Sequence, residues 1–382
     1  MTKKTILVFN GGGLAPALNP TLYGVITKAK KQGFKILGGM YGWASLLDNG
    51  RIVDLTKLNI EPIKNIGGTF LRSSRTNPFN VKDGVTQLKD KIKEHKIDYL
   101  VAIGGNDTMG AAERLFREEN LPIIGIPKTI DNDLPETYFT PGFPSAAFYF
   151  SSYVKEIRED AAYALSRIYI IEAMGQDAGW LVAAGVYGGA DIIVPPEKKI
   201  KVEKILDIVE KKYAENGYFA VIALSEQAKF DQPIEGIAQD QKDSFNVSRK
   251  SFTSLPLRNL IKEKLGIDCK ALVPGNYWES GQPIEIDKIF AIKLGQKSID
   301  LIKKERFGEM TCLKKKGKKI VVDSVALKKV FAKEKIKKLG ADMFDFDNLK
   351  PKKKFLNYLE SILGKPKNQN NGYYQLIKKI NR

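Results

Sequence analysis

Two aspartates one residue apart, with a lysine just ahead of them, mark the segment of this chain best equipped for chemistry: Pro127-Lys128-Thr129-Ile130-Asp131-Asn132-Asp133. One carboxylate can take the proton from an attacking hydroxyl, and the other can help to hold Mg²⁺. Lys128 can neutralise phosphate oxygens. These residue types also build exposed Asx turns, so the reading needs support from elsewhere in the chain. Three glycine clusters supply it. Gly11-Gly12-Gly13 precedes a helix-like run, and backbone N–H groups beside a helix N-terminus make an anion site. The run from Gly67 to Arg75 adds the fixed positive charges of Arg72 and Arg75. Gly104-Gly105-Asn106-Asp107-Thr108 falls between a strand-like and a helix-like run. Any one cluster could be only a tight turn. Three of them, each expected just after a strand, would converge on the carboxyl edge of a parallel sheet, where ligands bind.

The elements that must carry these loops are readable. Strand-like apolar runs lie at 5–10, 35–40, 99–103 and 121–126, with helix-like runs at 19–31 and 111–119. A second set of strands lies at 168–172, 191–194 and 219–224, after a long helix-like stretch at 145–165. Strands alternating with helices at this spacing predict an α/β protein with parallel, doubly wound sheets, in two lobes. Residues 226–253 are polar and weakly patterned, and are expected to be loop-rich. Residues 355–363 predict a short helix in an otherwise Lys- and Asn-rich end.

Composition removes other classes. With 382 residues and 43% hydrophobic content the chain can bury real cores, which excludes disorder. Two cysteines far apart, Cys269 and Cys312, exclude a disulfide-stapled secreted module. The first apolar run, about five residues, is too short for a signal peptide or a membrane span. A soluble, cytoplasmic protein with no membrane contact is expected. The formal charge of +18 is regional: residues 301–382 hold 21 Lys and 2 Arg against 8 Asp and Glu. Lysine clusters bind phosphate backbones, but arginine is the better reader of bases. The run at 314–319 and the tail therefore read as solvated surface rather than as a nucleic-acid patch.

The segments GGGLAPALN, YGWASLLDNGRIVDL, GGTFLRSSRTNP, AIGGNDTMGAAERL, IPKTIDNDL, SRIYIIEAMGQDAGWLVAAG and ALSEQ occur here in the order found in the 6-phosphofructokinase family. The chain resembles that family closely over residues 5–226 and more loosely to about 330. The resemblance implies two Rossmann-like lobes with the active site between them, assembled as homodimers or homotetramers. It implies a donor lobe of 1–142 plus about 278–325, a sugar-phosphate lobe of 143–277 plus about 326–350, and a basic extension at 351–382. Asp131 would be the catalytic base, with Thr129 and Asp133 positioning sugar and metal. Gly12, Gly13, Arg75, Asp107, Thr108 and Lys128 would bind the donor, with Arg75 over the transferring group. Met174, Gly175 and Glu226 would line the sugar. Arg167 from a neighbouring subunit, Lys270 and Asn276 would serve its phosphate. Mg²⁺ would fall to Asp107 and, more weakly, Asn106.

The resemblance also speaks to the donor. Members that use diphosphate have Lys and Asp where ATP-using members have glycines, and Lys128 and Asp107 match the first pattern. An aspartate there intrudes on, and repels, the α-phosphate of a nucleotide. The expected reaction is transfer from diphosphate to the 1-hydroxyl of fructose 6-phosphate. ATP as donor, a different acceptor and a non-catalytic relative stay open, because the chain departs from the family pattern at Leu14, Ala17, Tyr23, Asn106, Gln176, Lys270 and Glu279. Glu279 is the sharpest departure. It stands where an arginine grips the sugar 6-phosphate, and a carboxylate there would repel it.

Overall fold

The computed structural model describes residues 3–236, 241–242, 248–249, 252–332, 336–366, 376 and 379–380. The chain forms two compact units, Met1–Ser145 with Glu279–Lys337, and Ala146–Trp278 with Lys338–Arg382. The first thus runs on to Lys337, past the boundary expected near 325.

In the first unit, the apolar runs become β1 (Thr5–Asn10), β2 (Lys35–Gly39), β4 (Tyr99–Gly104) and β5 (Ile123–Pro127), with β3 (Ile52–Asp54) pairing antiparallel beyond β2. All six residues of β1 are buried, as suits a parallel strand covered on both faces. The seven-stranded sheet runs Lys319–Ala326, Glu309–Lys316, β5, β4, β1, β2, β3. Its centre is parallel as expected, but both edges are antiparallel. One edge is the hairpin that contains the lysine run at 314–319: its base is buried through Met310, Cys312 and Leu313, and its tip is exposed. From β1 the chain steps to β2 on one side, then returns to β4 on the other. That reversal opens a crevice at the carboxyl ends of β1 and β4.

Helix α1 (Leu18–Lys31) follows the first glycine loop, α2 (Gly84–Glu94) leads into β4, and α3 (Asn106–Glu119) follows β4. α1 packs on the helix Glu285–Lys303 through two glycines. A Cβ on Gly24 would lie 2.2 Å from the Ile292 carbonyl oxygen, and one on Gly295 would lie 2.4 Å from that of Thr21. The backbones approach this closely only because neither residue has a side chain. The start of the second helix carries Asp287, fully buried. Its carboxylate accepts from the Gly142 N–H (2.9 Å), the Ser145 N–H (3.3 Å) and the Ser145 hydroxyl (2.5 Å). Gly142 in turn bridges Thr129 in parallel, so Asp287 supports the loop that carries the paired aspartates.

The second unit holds a four-stranded, all-parallel sheet in the order Cys269–Leu272, Ile168–Ala173, Ala220–Ser225, Ile192–Val194. Its core includes Ile168, Ile170, Ile222 and Leu224. The expected short helix is Lys353–Leu363, with Phe355, Tyr358, Leu359 and Ile362 buried and Tyr358 packed on Trp180. The expected extension is therefore anchored at its start; most of 367–382 lies outside the described residues. Of the loop-rich stretch 226–253, the described part holds only two-residue strands. Cys269 and Cys312 are buried and unbonded. Among the described residues, no helix is long and apolar enough to cross a membrane.

Burial raises the Asp287 carboxyl to about 6 despite its three donors. The folded chain therefore holds this proton more tightly than the unfolded chain. The stability it contributes is complete below about pH 4 and is lost as pH rises through about 6. Asp287→Asn cannot titrate, so wild-type stability relative to that variant should fall by about 2 kcal/mol between pH 4 and 7. Urea unfolding across that range measures the difference, and a flat one would remove Asp287 from the linkage.

Candidate active site

The loop after β1 is fastened to two neighbours. The Gly11 N–H donates to the Ile103 carbonyl at the end of β4 (2.9 Å), and the Gly12 N–H donates to the Ser74 carbonyl (2.9 Å). Gly12 has φ +83°, a conformation that side-chain-bearing residues rarely adopt. The Ser73 hydroxyl donates back to the Gly12 carbonyl (2.6 Å), and the Asn10 side chain donates to the Arg72 carbonyl (3.0 Å). The segment 67–75 is thus stitched to the first glycine loop. It follows no strand, contrary to expectation; it lies between the short 3-10 turns Glu61–Asn65 and Pro78–Asn80. Its hydrogen bonds, not a place in the sheet, bring Arg75 to the edge. The third cluster does connect β4 to α3, and the Thr108 side chain packs against Gly11 and Gly104.

Lys128 joins these loops. Its N–H donates to the Gly104 carbonyl (2.8 Å), and its ammonium reaches across to the Gly13 carbonyl. Burial pushes the ammonium down to about 8. The carboxylates of Glu279, Asp131 and Asp133 oppose that push, while Arg75 adds to it. Lys128 is therefore mostly charged at neutral pH, with its titration only about one unit above.

The paired aspartates differ in their surroundings. Asp131 is half-buried, and desolvation raises its pKa against the Thr129 hydroxyl, Lys128 and Arg75. The Thr129 hydroxyl accepts from the Asp131 N–H and donates to its carboxylate, both at 3.1 Å, which fixes the rotamer. Asp133 is buried and raised to about 7, first by desolvation and then by the Asp131 charge. One of its oxygens accepts from the Asn106 amide (2.5 Å); the other, Oδ1, is buried without a hydrogen-bond partner. Asp107 stands exposed in the first turn of α3, near enough to raise Asp133 further.

Glu279, the sharpest departure from the family pattern, packs beside the first glycine loop. It is buried in the first unit, 3.1 Å from where a Gly13 Cβ would be, and its charge holds Lys128 up. It complements the lysine.

In the second unit, Met174, Gly175, Glu226 and Asn276 follow the carboxyl ends of three neighbouring strands. The Glu226 carboxylate accepts from the Gln176 N–H (3.2 Å), so it also shapes the 174–176 loop. Lys270 projects from the strand Cys269–Leu272 and is exposed. Arg167 lies at the amino edge, beside Asp268 at 3.4 Å. Six strand residues at about 3.3 Å each separate it from Met174. The chain therefore gathers Met174, Gly175 and Glu226 but not Arg167. Two supports escaped sequence reasoning. Asp287 and Lys337 hold the Thr129–Asp133 loop from far along the chain, and no short-range pattern could reveal either.

Glycine loops, a buried lysine and paired aspartates at the reversal of a parallel sheet define a phosphate-handling protein. The chain belongs to the phosphofructokinase family, whose pattern it matches over residues 5–302. The pyrophosphate–fructose 6-phosphate 1-phosphotransferase of Dictyoglomus thermophilum is 36% identical over 333 residues, 86% of this chain and 94% of that one. ATP-dependent 6-phosphofructokinase 3 of Streptomyces coelicolor is 30% identical over 312 residues, 80% and 90% of the two chains. The crystal structure of the pyrophosphate-dependent phosphofructokinase of Nitrosospira multiformis superposes with a TM-score of 0.84. It covers 95% of this chain and 93% of that one at 22% identity, a likeness of fold.

Lys128 loses its proton as pH rises through about 8. Affinity for diphosphate should accordingly fall between about pH 7 and 9. In Lys128→Arg, whose guanidinium stays charged, that fall should disappear. Calorimetric titration of both proteins across the range reads this out. A wild-type to variant affinity ratio that stays constant with pH would mean that another group titrates.

Proposed function

We propose that the chain transfers a phosphoryl group between diphosphate and the 1-hydroxyl of fructose 6-phosphate, giving fructose 1,6-bisphosphate, in either direction. The observation that carries this reading is Lys128, buried at the first glycine loop with Asp107 at the start of α3. A lysine among the phosphate-binding loops supplies charge to a donor that has no nucleoside to add binding energy. The Asp107 carboxylate disfavours the additional phosphate of a nucleotide. The diphosphate-using relative at 36% identity supports the same donor.

Asp131 takes the proton of the sugar hydroxyl as its oxygen attacks phosphorus. Desolvation makes it a stronger base than an ordinary aspartate, while Thr129, Lys128 and Arg75 oppose that rise. The departing phosphate leaves toward Lys128 and Arg75. Gly12, Gly13 and Thr108 shape the donor loops. Met174, Gly175 and Glu226 line the sugar, and Lys270 and Asn276 serve its phosphate. Arg167, a strand's length away, serves the sugar bound to a second copy, so the protein acts as a homodimer or homotetramer.

The residues suit Mg²⁺. Among those described, no cluster of three or more His, Cys, Asp or Glu side chains could hold a metal ion. Mg²⁺ asks for less: one or two carboxylates, waters and substrate phosphates. Asp107, the unpartnered Oδ1 of Asp133 and, more weakly, Asn106 offer hard oxygens of that kind. When bound, the ion neutralises phosphate oxygens.

Asp131→Asn should lower turnover by at least ~10²-fold with little change in diphosphate affinity. Steady-state kinetics and calorimetry on one preparation test this, and near-normal turnover would remove Asp131 from the mechanism. With fructose 6-phosphate as acceptor, diphosphate should support turnover and ATP at equal concentration little. Replacing both Lys128 and Asp107 with glycine should weaken diphosphate use. Faster wild-type turnover with ATP would overturn the donor assignment.

A further inference from the structure

The turn between the two aspartates is held by a residue 205 positions further along the chain. Asn132 has φ +57°, in the left-handed region that asparagine tolerates better than most residues. That turn directs Asp131 and Asp133 away from the path of an extended chain. A conformation of this kind persists where its surroundings over-determine it. Here they do. The Asn132 side-chain oxygen accepts from the Thr140 N–H (3.1 Å) and from the Lys337 ammonium (2.9 Å). The same ammonium donates to the carbonyls of Thr137 (3.2 Å) and Tyr138 (3.3 Å). Three acceptors match the three protons of an ammonium group. The Lys337 backbone N–H donates to the Asp133 carbonyl as well (2.6 Å). One residue thus binds the turn at Asn132 and at Asp133 and ties it to 137–138.

The side chain is half-buried, and desolvation drives its pKa down to about 7 against the pull of Asp133. A charged group so placed gives a weak return in stability. What it does supply is three directional bonds to a turn that carries the reacting carboxylate.

We propose that Lys337 is a positioning residue for phosphoryl transfer: its side chain holds the Asn132 turn so that Asp131 keeps its reactive orientation. The proposal rests on the assignment of Asp131 as the base. In this role Lys337 acts through Asn132 rather than on the substrates. A displacement of a reacting group by about 1 Å can cost on the order of 10²-fold in rate. The loss should therefore fall on turnover and spare binding.

The test uses the full chain with diphosphate, Mg²⁺ and fructose 6-phosphate. Lys337→Met should lower kcat by about 10- to 100-fold and leave both KM values within about threefold. Lys337→Arg, which keeps the cation and its donors, should recover part of that loss. Asn132→Gly keeps the left-handed backbone accessible while removing the acceptor. It should lower kcat similarly, and it tests the tether even if Lys337→Met does not fold. The double variant Asn132→Gly with Lys337→Met should be no worse than the poorer single variant, because both cut one connection. Losses that multiply, an unchanged kcat in either single variant, or a rise in KM at constant kcat would each overturn the proposal. Wild-type protein inactive with diphosphate would instead overturn the functional reading beneath it.

Discussion

An ammonium group withdrawn from water must find oxygen atoms, and much of the first unit follows from where Lys128 finds its own. Its pKa falls from 10.5 to about 8. Burial therefore still costs the charged form about 3 kcal/mol after every compensation is counted. Those compensations are structural demands. The Gly13 carbonyl must come within reach, which requires the tight loop after β1. Negative charge must lie close by, which requires Asp131, Asp133 and Glu279. The carboxylates are costly to bury as well, and desolvation raises both aspartates. Each charge makes the others tolerable. A phosphate entering this group meets cations already stripped of competing water, where electrostatic attraction is strongest.

Glu279 shows how such a balance redistributes roles. Read as the occupant of a phosphate-gripping position, a carboxylate is an obstacle. Beside Lys128 it is a counter-charge that helps to keep the lysine protonated. Asn106 makes a similar adjustment. A carboxylate there would face Asp133 with like charge, whereas the amide donates a hydrogen bond to it. The buried aspartate is thereby partly satisfied without a further cation.

What could be read in the sequence was what short range encodes. β1, β4 and β5 are apolar runs because both faces of a parallel strand are covered, and their positions came out within a residue or two. The glycine loops and the Lys128–Asp133 segment were legible for the same reason. The hairpin Glu309–Lys316 and Lys319–Ala326 was not, since its lysines hide the alternation of a strand and read as a charge run. The helix Glu285–Lys303 also escaped, because its buried face includes Asp287, Gly295 and Ser298 while Ile289 is exposed on the other side, which blurs the apolar stripe. Family resemblance reads Glu279 against the sugar phosphate, and nothing local announces that the fold also sets it beside Gly13. Asp287 and Lys337 could not be found at all. Each acts on a loop more than a hundred residues away, and nothing local distinguishes a supporting Asp or Lys from a solvated one.

The lysine-rich hairpin solves a problem of the sheet itself. The strand Lys319–Ala326 forms one border of seven strands and has half-buried Ile320, Val321 and Val322. A long apolar border strand invites any other extended chain to continue the sheet, a route to aggregation. Here the exposed tip of the hairpin that leads into it bears Lys314, Lys315, Lys316, Lys318 and Lys319. An incoming strand would have to strip water from several like charges to reach the backbone beyond them. The concentration of positive charge in the last fifth of the chain, which first suggests a ligand, in part keeps a sheet from growing.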